Sequence, residues 1–423
     1  MSKSCVTRLK CLLCGADYPP EEVPYVCPRH GDEGILDVQY DYARIAEILK
    51  RQDLARSRDE SLWRYRPLLP VDGDAPVPPL RVGWTPLYPA RRLAESLGMK
   101  DLWVKDETRQ PTASLKDRAS VIAVVKAGEA GARVVTTAST GNAAAALAGI
   151  CASVGRKNII FVPASAPEAK VAQLLAYGSE VLLVEGSYDD AFELCLKAAR
   201  KFGWYNRNTA YNPYMTEGKK TVILEICEQL GWKAPDAVFV PVGDGCIIGG
   251  VHKGLKDLAA LGWIDRIPRL IGVQAEGSAA LYDAWKRGIP PQEMKPIRAS
   301  TVADSISAGL PRDRIKALRA VTETAGAFIT VSDEEILQSI PALARGMGVF
   351  AEPAGAAPLA GLEKALKIGL VQPDQRIVLL VTGSGLKDIQ SALRATPRPK
   401  RIEPQIEAVE NALANLMILK EVS

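Results

Sequence analysis

From residue 134 onward the chain alternates short apolar, β-branched runs with longer stretches of helical spacing, and nothing else in it restricts the fold as much. The runs 134–138, 158–162 and 180–184 read as strands, and the stretches 141–154, 168–177 and 189–202 read as helices. The pattern returns with strands near 237–242, 270–274, 328–331 and 376–381. Strands that alternate with helices imply parallel βαβ units. The expected class is α/β, with two open, mainly parallel, three-layer units and a cleft between them. Such sheets bind ligands beyond the carboxyl ends of their strands. At 423 residues the chain is also too long for one ordinary core.

Composition and charge remove several function classes. A net charge of +4 with no long basic run does not indicate nucleic acid. No apolar stretch is long enough and free enough of charge to suggest a membrane partner. The start, Met-Ser-Lys-Ser-Cys, lacks the apolar run of a signal peptide, so the cytoplasm is expected. Eight cysteines in that compartment read as thiols or metal ligands. His30 and His252 are the only two histidines, which makes a Ser-His-Asp hydrolase a poor fit.

Cys11-x-x-Cys14 and Cys27-x-x-His30 are two paired-ligand knuckles joined by a short polar span. Four such ligands suit a closed tetrahedral zinc site. Zinc there supplies on the order of 10 kcal/mol to a segment too small for its own core. The plainer alternative is four residues without metal, and Cys5 is a poorly spaced substitute ligand. Residues 41–52 read as a helix with Ile45, Ile48 and Leu49 on one side, and 62–86 as an irregular wrap.

Four further stretches carry chemistry. Pro111 to Arg118, Pro-Thr-Ala-Ser-Leu-Lys-Asp-Arg, lies between an apolar run at 102–104 and an Ala/Val-rich helix, with Lys116 near the helix start. The partial positive charge there disfavours an ammonium, and a neutral amine attacks carbonyls, so Lys116 is a candidate Schiff-base lysine. The alternative is a surface lysine in a charged helix start. Ser139-Thr140-Gly141-Asn142 follows a strand and opens a helix, where backbone N–H groups and hydroxyls can hold a carboxylate. An ordinary helix cap looks the same. Gly243-Asp244-Gly245-Cys246-Ile247 also follows a strand, and its glycines let the backbone fold around an anion unless they serve tight packing. Asp244 is awkward there, because a carboxylate about 5 Å from a phosphate charge costs about 3 kcal/mol per unit charge. Thr382-Gly383-Ser384-Gly385 is a fourth strand-to-helix turn.

Ser114-Leu115-Lys116-Asp117-Arg118 resembles the cofactor-lysine segment of the fold type II pyridoxal-phosphate enzymes, and within them is most similar to the Ser-Phe-Lys-Asp-Arg of threonine synthases. Matches in the same order cover most of the chain: Gly83-Trp84-Thr85-Pro86-Leu87, Lys170-Val171-Ala172-Gln173, Asp189-Asp190-Ala191, Asn212-Pro213, Glu217-Gly218-Lys219-Lys220-Thr221, Glu352-Pro353-Ala354-Gly355 and Thr382 to Asp388. The resemblance implies a tryptophan-synthase-β-like fold, pyridoxal 5'-phosphate on Lys116, and formation of threonine from O-phospho-L-homoserine and water. It also implies a homodimer, and some members carry a cysteine ribbon like that at 11–30. By the same resemblance, Ser139, Thr140 and Gly141 grip the substrate carboxylate and Asn142 lies against the cofactor ring hydroxyl. Gly243, Asp244, Gly245, Cys246 and Ile247 form the phosphate cup, and Thr382 bonds the pyridine nitrogen. Arg118 and Lys170 are candidate cations for the substrate phosphate, while Glu217 and Lys219 set polarity beside the cleft or form an ion-paired helix start. The chain departs from the pattern at Leu115, at Asp244 where Asn is usual, and at Ala143-Ala144 where Thr-Ser is usual. The last two leave open a β-replacement or β-elimination enzyme acting on phosphoserine, serine or threonine. A non-catalytic cofactor-binding protein, or a ribbon module fused to an inactive unit, are the readings from another class. The expected organisation is a ribbon at 1–40, a large cofactor unit from 41–133 and 208–400, a small substrate-side unit at 134–207, and a helical tail at 401–423 with an apolar stripe through Ile406, Val409, Leu413 and Leu416.

Overall fold

The structure is a computed structural model that describes residues 3–139, 141–166 and 168–413. Thr140 and Leu416 therefore lie outside the described residues. The chain opens with a small antiparallel sheet of β1 (Val6–Cys11), β2 (Asp17–Tyr18) and β3 (Leu36–Tyr40), in the order β2-β1-β3. In β3, Leu36, Val38 and Tyr40 point inward and the residues between them are half-buried, the alternation of a sheet with one covered face.

The stretch read as one helix over 41–52 is two, Tyr42–Ile48 and Arg51–Arg56, broken where Leu49 is extended. Leu49 turns inward at the break while Ile48 is left exposed, so the expected apolar side is shorter than its spacing suggested.

Next come β4 (Leu87–Pro89) and β5 (Asp101–Asp106). Then β6 (Val134–Ala138), β7 (Lys157–Pro163), β8 (Glu180–Val184) and β9 (Tyr205–Asn206) form a parallel four-stranded sheet in the order β8-β7-β6-β9. Finally β10 (Ala237–Pro241), β11 (Arg269–Ala275), β12 (Ala327–Val331) and β13 (Arg376–Val381) join β4 and β5 in a six-stranded sheet. Its order is β12-β11-β10-β13-β5-β4, parallel except for β4 against β5. Every residue of β10, and all of β13 after Arg376, is buried. Continuous apolar strands of this kind need helices on both faces, which the βαβ alternation supplies. No helix among the described residues is long and apolar enough to cross a membrane.

Candidate active site

Strands β10, β13 and β5 are neighbours in the larger sheet, so the turns beyond their carboxyl ends lie side by side. Those turns carry Gly243–Cys246, Thr382–Ser384 and the Lys116 loop. The contact is direct: the Leu115 N–H donates to the Thr382 carbonyl at 2.9 Å and the Ser384 N–H to the Ala113 carbonyl at 3.0 Å. Ala113 sits at φ +62°, a conformation that non-glycine residues adopt only under constraint. Asp117 supplies part of that constraint, since its carboxylate accepts from the Thr112 N–H at 2.7 Å and the Thr112 hydroxyl at 2.5 Å. Lys116 is the N-cap of helix Asp117–Glu129. Burial lowers its proton affinity most; the Glu352 carboxylate opposes that shift and Arg207 adds to it.

Asn142 opens helix Asn142–Ser153 directly after β6. Its amide donates to Glu352 Oε1 at 2.7 Å and reaches Ser305 Oγ at 3.3 Å. In the loop before it, Ser139 Oγ accepts the Gly141 N–H at 3.2 Å. Glu352 starts helix Pro353–Lys367, and its own N–H donates to the Gly383 carbonyl at 3.0 Å. Burial raises the pKa of its carboxyl group. A Cβ on Gly383 would lie 2.4 Å from Glu352 Oε1, so only glycine lets this carboxylate come so close to the Thr382 turn. In the sequence Glu352 reads only as part of a helix start; an acid before an alanine-rich helix gives no sign that it accepts from Asn142 and acts on the charge of Lys116. A cavity of about 370 Å³ opens against Asn142 and Glu352, and Lys170, Asp304, Ser305 and Lys387 also line it.

The glycine turn after β10 leads into helix Cys246–Ala260, with Gly245 at φ +89° as its N-cap. Cys246 and Ile247, its first residues, are buried. Asp244 Oδ1 accepts the Arg312 N–H at 3.2 Å, which ties its carboxylate to the 310–313 loop. Two cations lie near the same turn. Arg207 Nη1 and Lys219 Nζ both donate to Thr209 Oγ1, at 3.2 and 3.3 Å, and Arg207 Nη2 has no partner among the described residues. Burial pushes Lys219 down to about 8, against the opposing pull of the Cys246 thiol, and Arg207 down to about 10. The sequence offers Lys219 as a polarity-setting residue beside the cleft or as part of an ion-paired helix start, and gives no sign of Arg207, which follows a two-residue strand in a segment without periodicity.

Two expected substrate cations part company. Lys170 lines the cavity and pairs with Asp304 across it. Arg118 does not reach it. Its side chain is fully buried and spends its donors on Glu107 and Glu225, at 2.5 to 2.8 Å, and on Thr221 and Thr85. Lys105 completes this cluster at 2.7 Å from Glu225. The physical reason is helix phase: two residues beyond Lys116 the helix has turned by about 200°, toward the core, and Gly218 packs so tightly there that a Cβ on it would sit 2.0 Å from the Arg118 carbonyl. Arg118→Met is expected to leave substrate KM unchanged and to lower stability by roughly 3–5 kcal/mol, since it strands two buried carboxylates on one lysine. Denaturant unfolding beside steady-state kinetics checks this; a raised KM at full stability would return Arg118 to the substrate. Glu217 is likewise structural, held by Lys220 at 2.6 Å and the Tyr40 hydroxyl at 2.8 Å.

The ribbon brings its four candidate ligands together. The donor atoms of Cys11, Cys14, Cys27 and His30 all lie within 4.8 Å of one another, with His30 Nδ1 3.5 Å from Cys27 Sγ. Cys5, the substitute ligand, is buried outside this group.

The family described as pyridoxal-phosphate dependent enzyme matches residues 79–383. The chain is 38% identical over 409 residues to the threonine synthase of Methanocaldococcus jannaschii, covering 96% of this chain and 99% of that protein. It is 40% identical over 412 residues to that of Methanosarcina acetivorans, covering 96% and 98%. Among solved structures, the processed threonine deaminase isoform 2 of Solanum lycopersicum shares the fold, with TM-score 0.63 and 24% identity over 74% of this chain and 87% of that one. With the lysine loop, the glycine turn and the Thr382 turn gathered at adjacent strand ends, and with this likeness running nearly end to end, the chain belongs to the pyridoxal-phosphate-dependent enzymes, in the threonine synthase family.

Proposed function

We propose that the protein converts O-phospho-L-homoserine and water to L-threonine and phosphate. The observation that carries the proposal is the position of Lys116, a half-buried lysine of lowered proton affinity on the loop that bonds the Thr382 turn, next to residues 111–113, which line a cavity with Asn142, Glu352, Lys170 and Lys387. The near full-length likeness to threonine synthases supports the substrate.

The donors present fit pyridoxal phosphate. Among the described residues, Ser114 Oγ and Arg207 Nη2 are buried without partners, and Lys219 makes one long bond, to a hydroxyl. Such groups beside a helix N-terminus suit an anion. Lys116 would hold the aldehyde end, Thr382 the ring nitrogen, and Gly243, Gly245, Cys246 and Ile247 the phosphate, with Arg207 and Lys219 as counter-charges that offset Asp244. When bound, the cofactor supplies an electron-withdrawing ring that stabilises negative charge on substrate carbon. The chain's own residues do the rest. Ser139 and Gly141 orient the substrate carboxylate, with Thr140 of the same loop, and Asn142 would lie against the cofactor ring hydroxyl. The Lys116 amine, its proton affinity lowered by burial, takes and returns protons at the α, β and γ carbons. The Cγ–O bond breaks, phosphate leaves, and the hydroxyl of water adds at Cβ. We take the sheet built from residues 134–206 as the substrate side of the cleft, the protein as a cytoplasmic homodimer, and Cys11, Cys14, Cys27 and His30 as a structural zinc site.

The test is phosphate and threonine production from O-phospho-L-homoserine by the cofactor-loaded protein. Ala143-Ala144 favours one second reading, β-replacement or elimination on phosphoserine or serine, because a hydroxyl next to the reacting carbons is missing. Turnover of those substrates alone would establish it.

The counter-charge assignment predicts a pH dependence. With a pKa near 8, Lys219 is a cation below that pH and neutral above it, so a phosphate bound above pH 8 must bring a proton with it. Affinity of the cofactor-free protein for pyridoxal phosphate, relative to unphosphorylated pyridoxal, should hold below pH 8 and fall by up to about tenfold per pH unit above it. A ratio that stays flat from pH 7 to about 9.5 removes Lys219 from the phosphate site.

A further inference from the structure

Lys387 lies in the turn after β13 and has no role in the chemistry above. It is half-buried on the wall of the cavity. Among the described residues its ammonium makes one hydrogen bond, a long one of 3.4 Å to Gln173 Oε1, and no carboxylate is at ion-pair distance. The other lysine of the cavity differs in this respect, since Lys170 has Asp304. Removing an ammonium from water without a counter-ion is unfavourable, and a site that does so usually awaits an anion. The acids around it are already committed: Asp117 holds Thr112, Glu352 accepts from Asn142, Asp388 caps Ser391 and Asp304 pairs with Lys170.

The position is also rigid. The Lys387 N–H donates to the Ser384 carbonyl at 3.0 Å and the Gly385 N–H to the Phe350 carbonyl at 2.9 Å. A Cβ on Gly385 would meet the Phe350 ring at 2.4 Å, so the turn has no room to shift. Gln173 belongs to helix Glu168–Ala176, one turn after Lys170. The two lysines thus approach the same cavity from opposite sheets, with an amide next to both.

We propose that Lys387 binds the phosphate of a phosphorylated amino-acid substrate and selects it over neutral side chains. This rests on the phosphohomoserine reading and adds a residue to it. Lys387 reaches the phosphate from the larger sheet, Lys170 from the smaller, and Gln173 donates its amide between them.

The experiment uses cofactor-loaded wild type, Lys387→Met and Lys387→Arg. Lys387→Met should keep its cofactor absorbance and raise KM for O-phospho-L-homoserine roughly 10- to 100-fold, with a smaller change in kcat. The inhibition constant of inorganic phosphate should rise alongside, spectral titration with neutral L-threonine should be unchanged, and Lys387→Arg should recover part of the loss. Unchanged KM and phosphate inhibition in Lys387→Met would overturn the proposal. So would equal loss of phosphate and threonine binding, or loss of cofactor, since either marks a structural role. If wild type does not turn over phosphohomoserine but inorganic phosphate still perturbs its spectrum in a Lys387-dependent way, the phosphate site stands and the substrate reading fails. If phosphate perturbs neither protein and no turnover occurs, both fail.

Discussion

Lys116→Ala is expected to abolish the visible absorbance of the protein supplied with pyridoxal phosphate and to lower turnover by roughly 10³-fold or more. Two functions are lost together: the covalent anchor and the base that moves substrate protons, which alone typically contributes 10²–10⁴-fold. Folding should survive. Lys116 is an N-cap without a capping hydrogen bond, and its charge sits where burial already disfavours it. Among the described residues, removing this lysine leaves no carboxylate without a partner, since Glu352, the acid that favours its charged form, keeps Asn142. The thermal midpoint of the cofactor-free variant should therefore match or exceed wild type. Absorbance spectra, a discontinuous phosphate assay and thermal unfolding check the three parts. A variant that keeps a covalently bound chromophore would refute the assignment of Lys116, and one that loses the chromophore by unfolding would make the lysine a structural residue.

How far the site could be read from sequence depends on whether each group lies in a strand-turn-helix unit. Lys116, Asn142, the glycine turn and Thr382 each follow a strand and open a helix, and parallel sheets place such turns at one end. Their assembly was therefore legible once the alternation was seen. Arg207, Lys219 and Glu352 were not, because nothing local marks them. Arg207 follows a two-residue strand, Lys219 looks like its neighbour Lys220, and Glu352 reads as one more helix start. What sets them apart is the partner each one has or lacks. Lys220 is held by Glu217 and Asp257 at 2.6 Å each, while Lys219 meets only a hydroxyl. Arg118 differs for the converse reason: proximity in sequence to Lys116 suggests the cleft, but two residues at about 100° each turn it toward the core. Only tertiary packing distinguishes these cases. The two short strands of the ribbon hairpin and the break at Leu49 were missed because segments of a few residues carry too little periodicity to register.

Removing zinc from the proposed ribbon site should produce the second large effect, and it should reach the cofactor. Four donor atoms lie within 4.8 Å of one another on a sheet whose second strand has two residues, so a metal there would tie together loops that the short ladder does not. Bound zinc contributes roughly 10 kcal/mol to such a site. The ribbon is not a separate appendage. Leu12 and Ile35 pack on Ala210 and Cys246, the latter at the start of the helix behind the glycine turn. Tyr25 stacks on Tyr211 at 4.9 Å and accepts the Asn206 N–H at 2.9 Å, while Tyr40 bonds Glu217 at 2.8 Å. Glu33 pairs with Arg314, and Asp32 with Arg200. These contacts reach both sheets and flank the segment 206–219 that carries Arg207 and Lys219. A strong chelator, or Cys27→Ser, is therefore expected to release one zinc per chain, to lower the thermal midpoint sharply, and to weaken pyridoxal phosphate binding before global unfolding. Metal analysis together with cofactor-absorbance titration at a temperature where the chain stays folded separates the two consequences. Zinc loss with unchanged cofactor affinity would make the ribbon an independent module. Protein purified without metal, yet of full stability and affinity, would mean that Cys11, Cys14, Cys27 and His30 hold the ribbon by packing and hydrogen bonds alone.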